Sequence, residues 1–397
     1  MFLLILAFVV GFGMAFSIGA NDVANSMSTA VGAKAITPKQ AVLIASILEF
    51  LGAVLFGAHV TKTIAKGIVN LDKIADTNLI LIGAFSALIA STIWILIATY
   101  WGMPVSTTHS IVGGMIGFGL AAGGFNVINW FTMLKIVFTW ISSPLIGGAF
   151  AFVIFKFISW SILHRKHPAK AAKYVAPILL GLAFYTIAVL FVVKTMKKNF
   201  VFGNYIGTII GFTVFVISLL ILKKIKSNGN EYTIVEKVFK NAQIVTSCYV
   251  SFSHGANDVA NAVGPLALIY IILTTQSFGG EISIPKYILA LGGLGISLGV
   301  ATLGHKVMKT VGEDITELNN SRGFSIDFAT ATTVLVASTF GMPISTTHTV
   351  VGAVSGVGFA RGLEVVNVGI LKNIIISWFV TVPFAAFVSG MLFLIIS

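Results

Sequence analysis

The chain has 397 residues, 57% of them hydrophobic and only 10% charged, with a formal net charge of +12. Globular domains carry about 25% charged residues, so this much apolar surface cannot be hidden in one soluble core, and the chain reads as an all-α integral membrane protein. Short alternating segments, the mark of a β-barrel, are missing from its continuous apolar runs.

In chain order, apolar segments near 1–33, 40–59, 77–100, 103–124, 127–159, 176–193, 200–222, 242–275, 285–303, 324–340, 343–362 and 366–396 predict about twelve passes. No charged residue lies between Asp76 and Lys135, a stretch long enough for two crossings of about 20 residues each. The first segment has no basic residue ahead of it, so it reads as a retained helix rather than a cleaved signal. Cys248 is the sole cysteine, which excludes an internal disulfide and a thiolate metal cluster.

The basic excess follows topology. With the N-terminus outside, sixteen Lys and Arg fall on the cytoplasmic side, Lys306 and Lys309 among them, against seven outside: Lys62, Lys66, Lys73, Lys194, Lys197, Lys198 and Lys286. That bias predicts a multi-pass cell-membrane protein with both termini extracytoplasmic, and assigns the charge to lipid headgroups rather than to nucleic acid.

Two motifs are duplicated. The decapeptide Phe16 to Asn25 recurs from Phe252 to Asn261 with one change, and Gly102-Met103-Pro104-Val105-Ser106-Thr107-Thr108-His109 recurs as Gly341-Met342-Pro343-Ile344-Ser345-Thr346-Thr347-His348. Asn21 and Asn257 are 236 apart, whereas Pro104 and Pro343, and Pro144 and Pro383, are 239 apart. The first copy starts an outside-to-inside pass and the second an inside-to-outside one, which predicts two inverted repeats, 1–159 and 241–397, joined by a connector over 160–240 with two helices of its own.

In Asn21-Asp22-Val23-Ala24-Asn25 and Asn257-Asp258-Val259-Ala260-Asn261, a carboxylate and two amides interrupt an apolar helix beside a glycine, and a break in the helix is expected there. A carboxylate at bilayer depth costs several kcal/mol unless paired, and no Lys or Arg lies near in sequence. Carboxylate, amide and carbonyl oxygens suit a hard monovalent cation, sodium first; the plainer alternative is a protonated acid or hydrogen-bonding glue between helices.

Gly-Met-Pro followed by Ser-Thr-Thr reads as a helix N-terminus at membrane depth, whose free N–H groups favour an anion, phosphate above all. Six hydroxyls, of Ser106, Thr107, Thr108, Ser345, Thr346 and Thr347, would hold such an oxyanion, or else merely cap. His109 and His348, one turn further on, are candidates for a substrate role, with packing or capping as the alternative. Glu49 stands alone in an apolar pass, and Asp327 is either functional or an N-terminal helix charge near the cytoplasmic surface.

The summed charge decides the mechanism. Two aspartates and an oxyanion total about −3 to −4, while two helix ends return about +1, so cations must enter with the anion. The paired GANDVAN and PxSTTH motifs resemble the inorganic phosphate transporters of the PiT type, over both halves of the chain. The resemblance implies phosphate symport with sodium, or protons in some bacterial members, and helical hairpins that carry the STTH motif. It implies that Asp22, Asn25, Asp258 and Asn261 hold cations, that the six hydroxyls contact phosphate, and that Glu49 is needed for transport.

The sequence therefore predicts a sodium-coupled phosphate importer working by alternating access. Sodium is the co-transported ion, the lipid bilayer and inorganic phosphate are the partners, and homo-oligomers are allowed. The competing readings are a proton-coupled phosphate or sulfate symporter, an intramembrane phosphatase and an anion channel. The phosphatase lacks an Arg or metal clamp in the motifs, and the channel would be lined with Lys or Arg rather than acids.

Overall fold

The computed structural model describes residues 1–74, 76–226, 230–275, 284–304, 307, 317–362 and 367–397. Lys306, Lys309, the stretch 227–229 of the central basic loop and residue 366 of the last predicted pass lie outside them. In chain order the helices are α1 (Phe2–Gly32), α2 (Pro38–Phe56), α3 (Ala58–Lys66), α4 (Thr77–Tyr100), α5 (Thr107–Gly123), α6 (Trp130–Ile158), α7 (Pro168–Leu190), α8 (Phe200–Lys223), α9 (Glu231–Thr275), α10 (Lys286–Leu303), α11 (Asn320–Thr339), α12 (Thr346–Arg361) and α13 (Val368–Ile396).

Ten helices among the described residues are long and apolar enough to span a bilayer, not twelve. The helices that fall short, apart from the nine-residue α3, are α11 and α12. With 16 residues, α12 extends only about 24 Å, and α11 carries Arg322, Ser325, Asp327 and Thr330, of which the last three are buried against protein. A helix that faces its neighbours rather than lipid does not need an apolar surface all round.

Three antiparallel or parallel pairings set the architecture. Helices α1 and α9 pass antiparallel, Gly11 against Leu266 and Asp22 beside His254. Helix α4 runs parallel to α1, since Thr92 donates to the Met14 sulfur and Asn21 to Thr99. Helix α11 runs parallel to α9, with Ser321 bonded to Glu236, Asp327 to Ser247 and Ser338 to Asn257. The hairpins α4–α5 and α11–α12 therefore enter from opposite ends of the bundle, and their turns meet near its middle.

The hairpin turns are written in the repeated octapeptide. Gly102 and Gly341 end α4 and α11 in the left-handed region, at φ +67° and +69°, where a side chain is strained. Met103 N–H returns to Ala98 O and Met342 N–H to Ala337 O, both closing the preceding helix as a glycine C-cap does. Pro then keeps the chain out of helix, and Ser106 and Ser345 restart it by accepting from His109 N–H and His348 N–H, each at 3.1 Å.

The expected break in the Asn-Asp motif is not there: α1 and α9 run unbroken through it. Gly19 and Gly255 serve close approach instead. A Cβ on Gly19 would lie 1.9 Å from Ile296 O of α10, and one on Gly255 2.0 Å from Glu49 O of α2. The chain interruption falls in the hairpins, where two turns at depth leave helix N-termini free.

Candidate functional site

Depth comes first. Asn21 lies about 28 Å along α1 from Phe2 and about 16 Å from Gly32, and its amide holds the turn of the first hairpin. Its Nδ2 donates to Thr99 Oγ1 and Met103 O, both at 3.0 Å, while its Oδ1 accepts from Val105 N–H at 3.2 Å. Asn257 holds the matching positions of the second hairpin with donor and acceptor exchanged: Nδ2 donates to Ile344 O at 2.9 Å and Oδ1 accepts from Ser338 Oγ at 3.1 Å. These two asparagines clamp the hairpin turns.

The next residues of the two motifs cross over. Asn25 on α1 donates through Nδ2 to Asp22 Oδ1 at 2.8 Å and to Thr347 Oγ1 at 2.9 Å on α12. Asn261 on α9 donates to Asp258 Oδ1 at 2.9 Å and to Thr107 and Thr108 Oγ1, each at 3.2 Å, on α5. Thr107 Oγ1 lies 2.8 Å from Asp22 Oδ2 and 3.2 Å from Asp258 Oδ1, within donating distance of both. Each half of the chain thus completes the other's site.

Thr108 and Thr347 hydroxyls also reach across, to Ile344 O at 3.2 Å and Val105 O at 3.1 Å. Thr346 Oγ1 accepts from Asn25 Nδ2 at 3.5 Å. Asp22, Asn25, Asp258, Asn261 and the six hydroxyl residues are all at most 4% exposed, so the site is occluded from both faces. Ser106 and Ser345 spend their Oγ lone pairs as caps, and what they offer an anion is the helix N-termini that they start.

Two further side chains join the site. Glu49 of α2 accepts from Ser26 Oγ at 2.9 Å, and its Oε2 lies 3.1 Å from His254 Nδ1. The other imidazole nitrogen stands 3.6 Å from Asp22 Oδ2 and 3.4 Å from Asp258 Oδ2. His254 was not singled out by the sequence reading, although it is the one change between the two decapeptides, standing where the first has Ile18. Among the described residues no lysine or arginine is ion-paired to these three acids; the ion pairs of Arg322 and Arg361 go to Glu317.

The donor set fits a small hard cation. Asn25 Oδ1 and Asn261 Oδ1 are buried with no hydrogen-bond partner, and such orphaned carbonyl oxygens are costly unless something positive meets them. One ligand atom each of Asp22, His254 and Asp258 lies within 4.8 Å of the others. Carboxylates and amide oxygens side by side are the ligands that sodium takes.

The remaining candidates lie elsewhere. Asp327 accepts from Thr29 and Ser247 hydroxyls, and Thr29 lies about 10 Å further along α1 than Asp22. It is 2% exposed, two turns into α11, and so is no surface helix charge. His109 and His348 pack against each other, ring centroids 4.4 Å apart, and against Trp140 at 3.9 Å and Trp378 at 3.5 Å. His348 Nδ1 lies 3.1 Å from Trp140 O. That carbonyl is the one which Pro144, four residues on and lacking an N–H, cannot satisfy, so His348 holds its proton on Nδ1.

A solved structure described as the sodium-dependent phosphate transporter superposes with a TM-score of 0.97 at 57% identity, covering 100% of this chain and 99% of that one. A chain of Pyrococcus furiosus that bears the name phosphate permease is 52% identical over 98% of this chain and 95% of its own length. The chloroplastic inorganic phosphate transporter 2-1 of Arabidopsis thaliana is 41% identical over 95% of this chain and 69% of its own. The sequence pattern of the phosphate transporter family matches residues 18–389, and the chain, a multi-pass membrane protein and not an enzyme, belongs to that family.

Proposed function

We propose that this protein carries inorganic phosphate into the cell together with sodium ions, by alternating access through the occluded site. Sodium is a co-substrate in this reading, not a resident cofactor. The observation that carries it is the crossed pair of asparagines: Asn25 and Asn261 bond hydroxyls of the opposite hairpins while their own Oδ1 atoms stay unpartnered. Asp22, Asn25, Asp258 and Asn261 hold the cations, and the threonines with the two helix N-termini hold the oxyanion.

Coupling then has a local cause. A threonine hydroxyl has one proton to donate, and Thr107 directs its proton at the carboxylates of Asp22 and Asp258. Sodium bound at those carboxylates takes over their negative charge and releases the hydroxyl to donate to phosphate. Without the cation, three acids and one histidine would meet an incoming anion, and two helix ends supply only about one positive charge against it. The solved relative described as sodium-dependent supports sodium as the ion.

Access follows from the hairpins. Two inverted repeats, 1–159 and 241–397, would insert hairpins from opposite faces, and the antiparallel α1–α9 pair with its oppositely directed hairpins supports that arrangement. Rocking one unit against the other opens the meeting point of the turns to one side at a time. Both termini are placed outside by the bias of basic residues.

Purified protein in liposomes, given labelled phosphate and an inward sodium gradient, should accumulate phosphate above its equilibrium level. Uptake that stops at equilibrium, indifferent to sodium and pH gradients, would mean a channel; accumulation driven by pH alone would mean proton coupling.

A further inference from the structure

Among the described residues the site itself holds no lysine, but lysines gather outside it. A cavity of about 860 Å³ lies between α3, α6 and the turn of the second hairpin, with Lys62, Lys135, Gly341 and Pro343 in its wall. Two threonines tie that turn to the wall: Thr63 Oγ1 donates to Gly341 O at 2.7 Å and Thr139 Oγ1 to Pro343 O at 3.2 Å. Pro343 is two residues from Ser345, so the cavity backs onto the loop that closes the site.

Lys62 and Lys135 are the charged residues of a wall that is otherwise largely apolar, with Phe131, Leu134, Phe138 and Phe340 in it, and Lys194 stands behind one of those rings. Lys135 Nζ lies 4.2 Å from the Phe131 ring centroid and Lys194 Nζ 4.0 Å from that of Phe340, and both rings line the space. Among the described residues that line it there is no carboxylate. His59 of α3, outside the spanning helices, is held below the usual imidazole range by burial and then by Lys194, Lys62 and Lys197. That places Lys194 and Lys62, from separate elements, in one positive field.

We propose that this cavity is a staging site for an inorganic phosphate anion, held loosely by Lys62 and Lys135 before the second hairpin admits it to the threonines. The inference deepens the transport reading above and rests on it for the destination of the anion. A recruiting field of this kind raises the local concentration and the on-rate of an anion, and salt weakens it. It also explains the separation of charges: a lysine in the site would bind phosphate without any need of sodium, whereas lysines outside the closing loop attract phosphate and leave the coupling intact.

Two measurements test it. In sodium-free choline chloride, where the inner site lacks its cation, wild-type protein should broaden the phosphorus-31 resonance of inorganic phosphate, and K62Q/K135Q should remove that broadening. In phosphatidylcholine liposomes at low ionic strength, K62Q/K135Q should raise the KM for phosphate about five- to tenfold with Vmax unchanged, and the gap should close as salt is added. K62R/K135R should behave as wild type. Equal broadening by wild type and K62Q/K135Q, or an unchanged KM, overturns the proposal. So does a KM effect seen only with anionic lipid present, which would assign the lysines to a lipid headgroup. The resonance arm stands apart from transport: if wild type carried no phosphate at all, the transport reading would fall while the anion site would still be decided.

Discussion

The two decapeptides bond matching positions of the hairpins but keep different company. On α9, His254 reaches Glu49 of α2 at 3.1 Å. The matching positions of the other half are found from the glycine approaches: Gly255 abuts Glu49 O, and Gly19 abuts Ile296 O. Where one half has His254 and Glu49, the other has Ile18 and Ile296, both fully buried. The clamps, the crossed asparagines and the two aspartates are shared by both halves and the His254–Glu49 pair is not, so the frame is symmetric while that pair leans to one side.

The shared part is expected to fail hardest. Asp22→Asn and Asp258→Asn each remove a carboxylate that lies against the Thr107 hydroxyl and that, in the proposed reading, holds the cation. Breaking a buried charge contact costs about 3–5 kcal/mol, which is roughly 10² to 10⁴ in rate or affinity. Sodium-driven phosphate accumulation should be lost in both, and to a similar extent. Retention of sodium stimulation by either variant would show that the two halves divide the work unequally.

The unshared part is sharpened by exchanging the pairs. His254→Ile alone leaves Glu49 buried with only Ser26 for company, and should lower thermal stability by about 3–5 kcal/mol. The double variant His254→Ile with Glu49→Ile copies the other half, and should recover most of that stability because a buried pair replaced by packed apolar side chains is often neutral. Melting curves in detergent decide it: a double variant no more stable than the single one would mean that the pair does more than satisfy itself.

Much of this site was legible in the sequence because it was duplicated. The hairpin turn could be read from Gly, Pro and Ser in order, since each acts on the backbone within a few residues of itself. Convergence of Asp22, Asp258 and the threonines followed from matched spacing. What escaped had long-range causes. Gly19 and Gly255 read as helix breaks until the backbones that they admit, at Ile296 and Glu49, are known. His254 stood in plain view as the one mismatch, yet its meaning required Glu49, on a helix some two hundred residues away. The amphipathic α3 lies almost wholly past the end of the apolar pass at 40–59, and α9 extends well into the loop that its basic residues suggested.

Close approach is the next test of the symmetry. Gly19→Ala and Gly255→Ala would each put a Cβ about 2 Å from a backbone oxygen of the neighbouring helix, a contact that only separation of the helices relieves. Overpacking costs about 1–3 kcal/mol, and both variants should melt earlier by like amounts. A clear difference between them would place the rigid contact on one side of the bundle and the compliant one on the other.

The smallest effect concerns Trp140 O. Pro144 denies it the usual N–H of the helix, and His348 supplies one from α12 at 3.1 Å. His348→Ala should leave that carbonyl unsatisfied at a cost of about 1–3 kcal/mol. Pro144→Ala restores the helix's own donor, so in that background the loss of His348 should cost less, and the coupling read from the double-mutant cycle should be about 1 kcal/mol. The second half offers a control in Pro383 of α13. The carbonyl that Pro383 frees is that of Phe379, four residues back, and no hydrogen bond joins His109 to it, so His109→Ala with Pro383→Ala should add independently. A cycle that closes to zero for His348 and Pro144 would leave the imidazole with packing alone, between Trp378 and its twin.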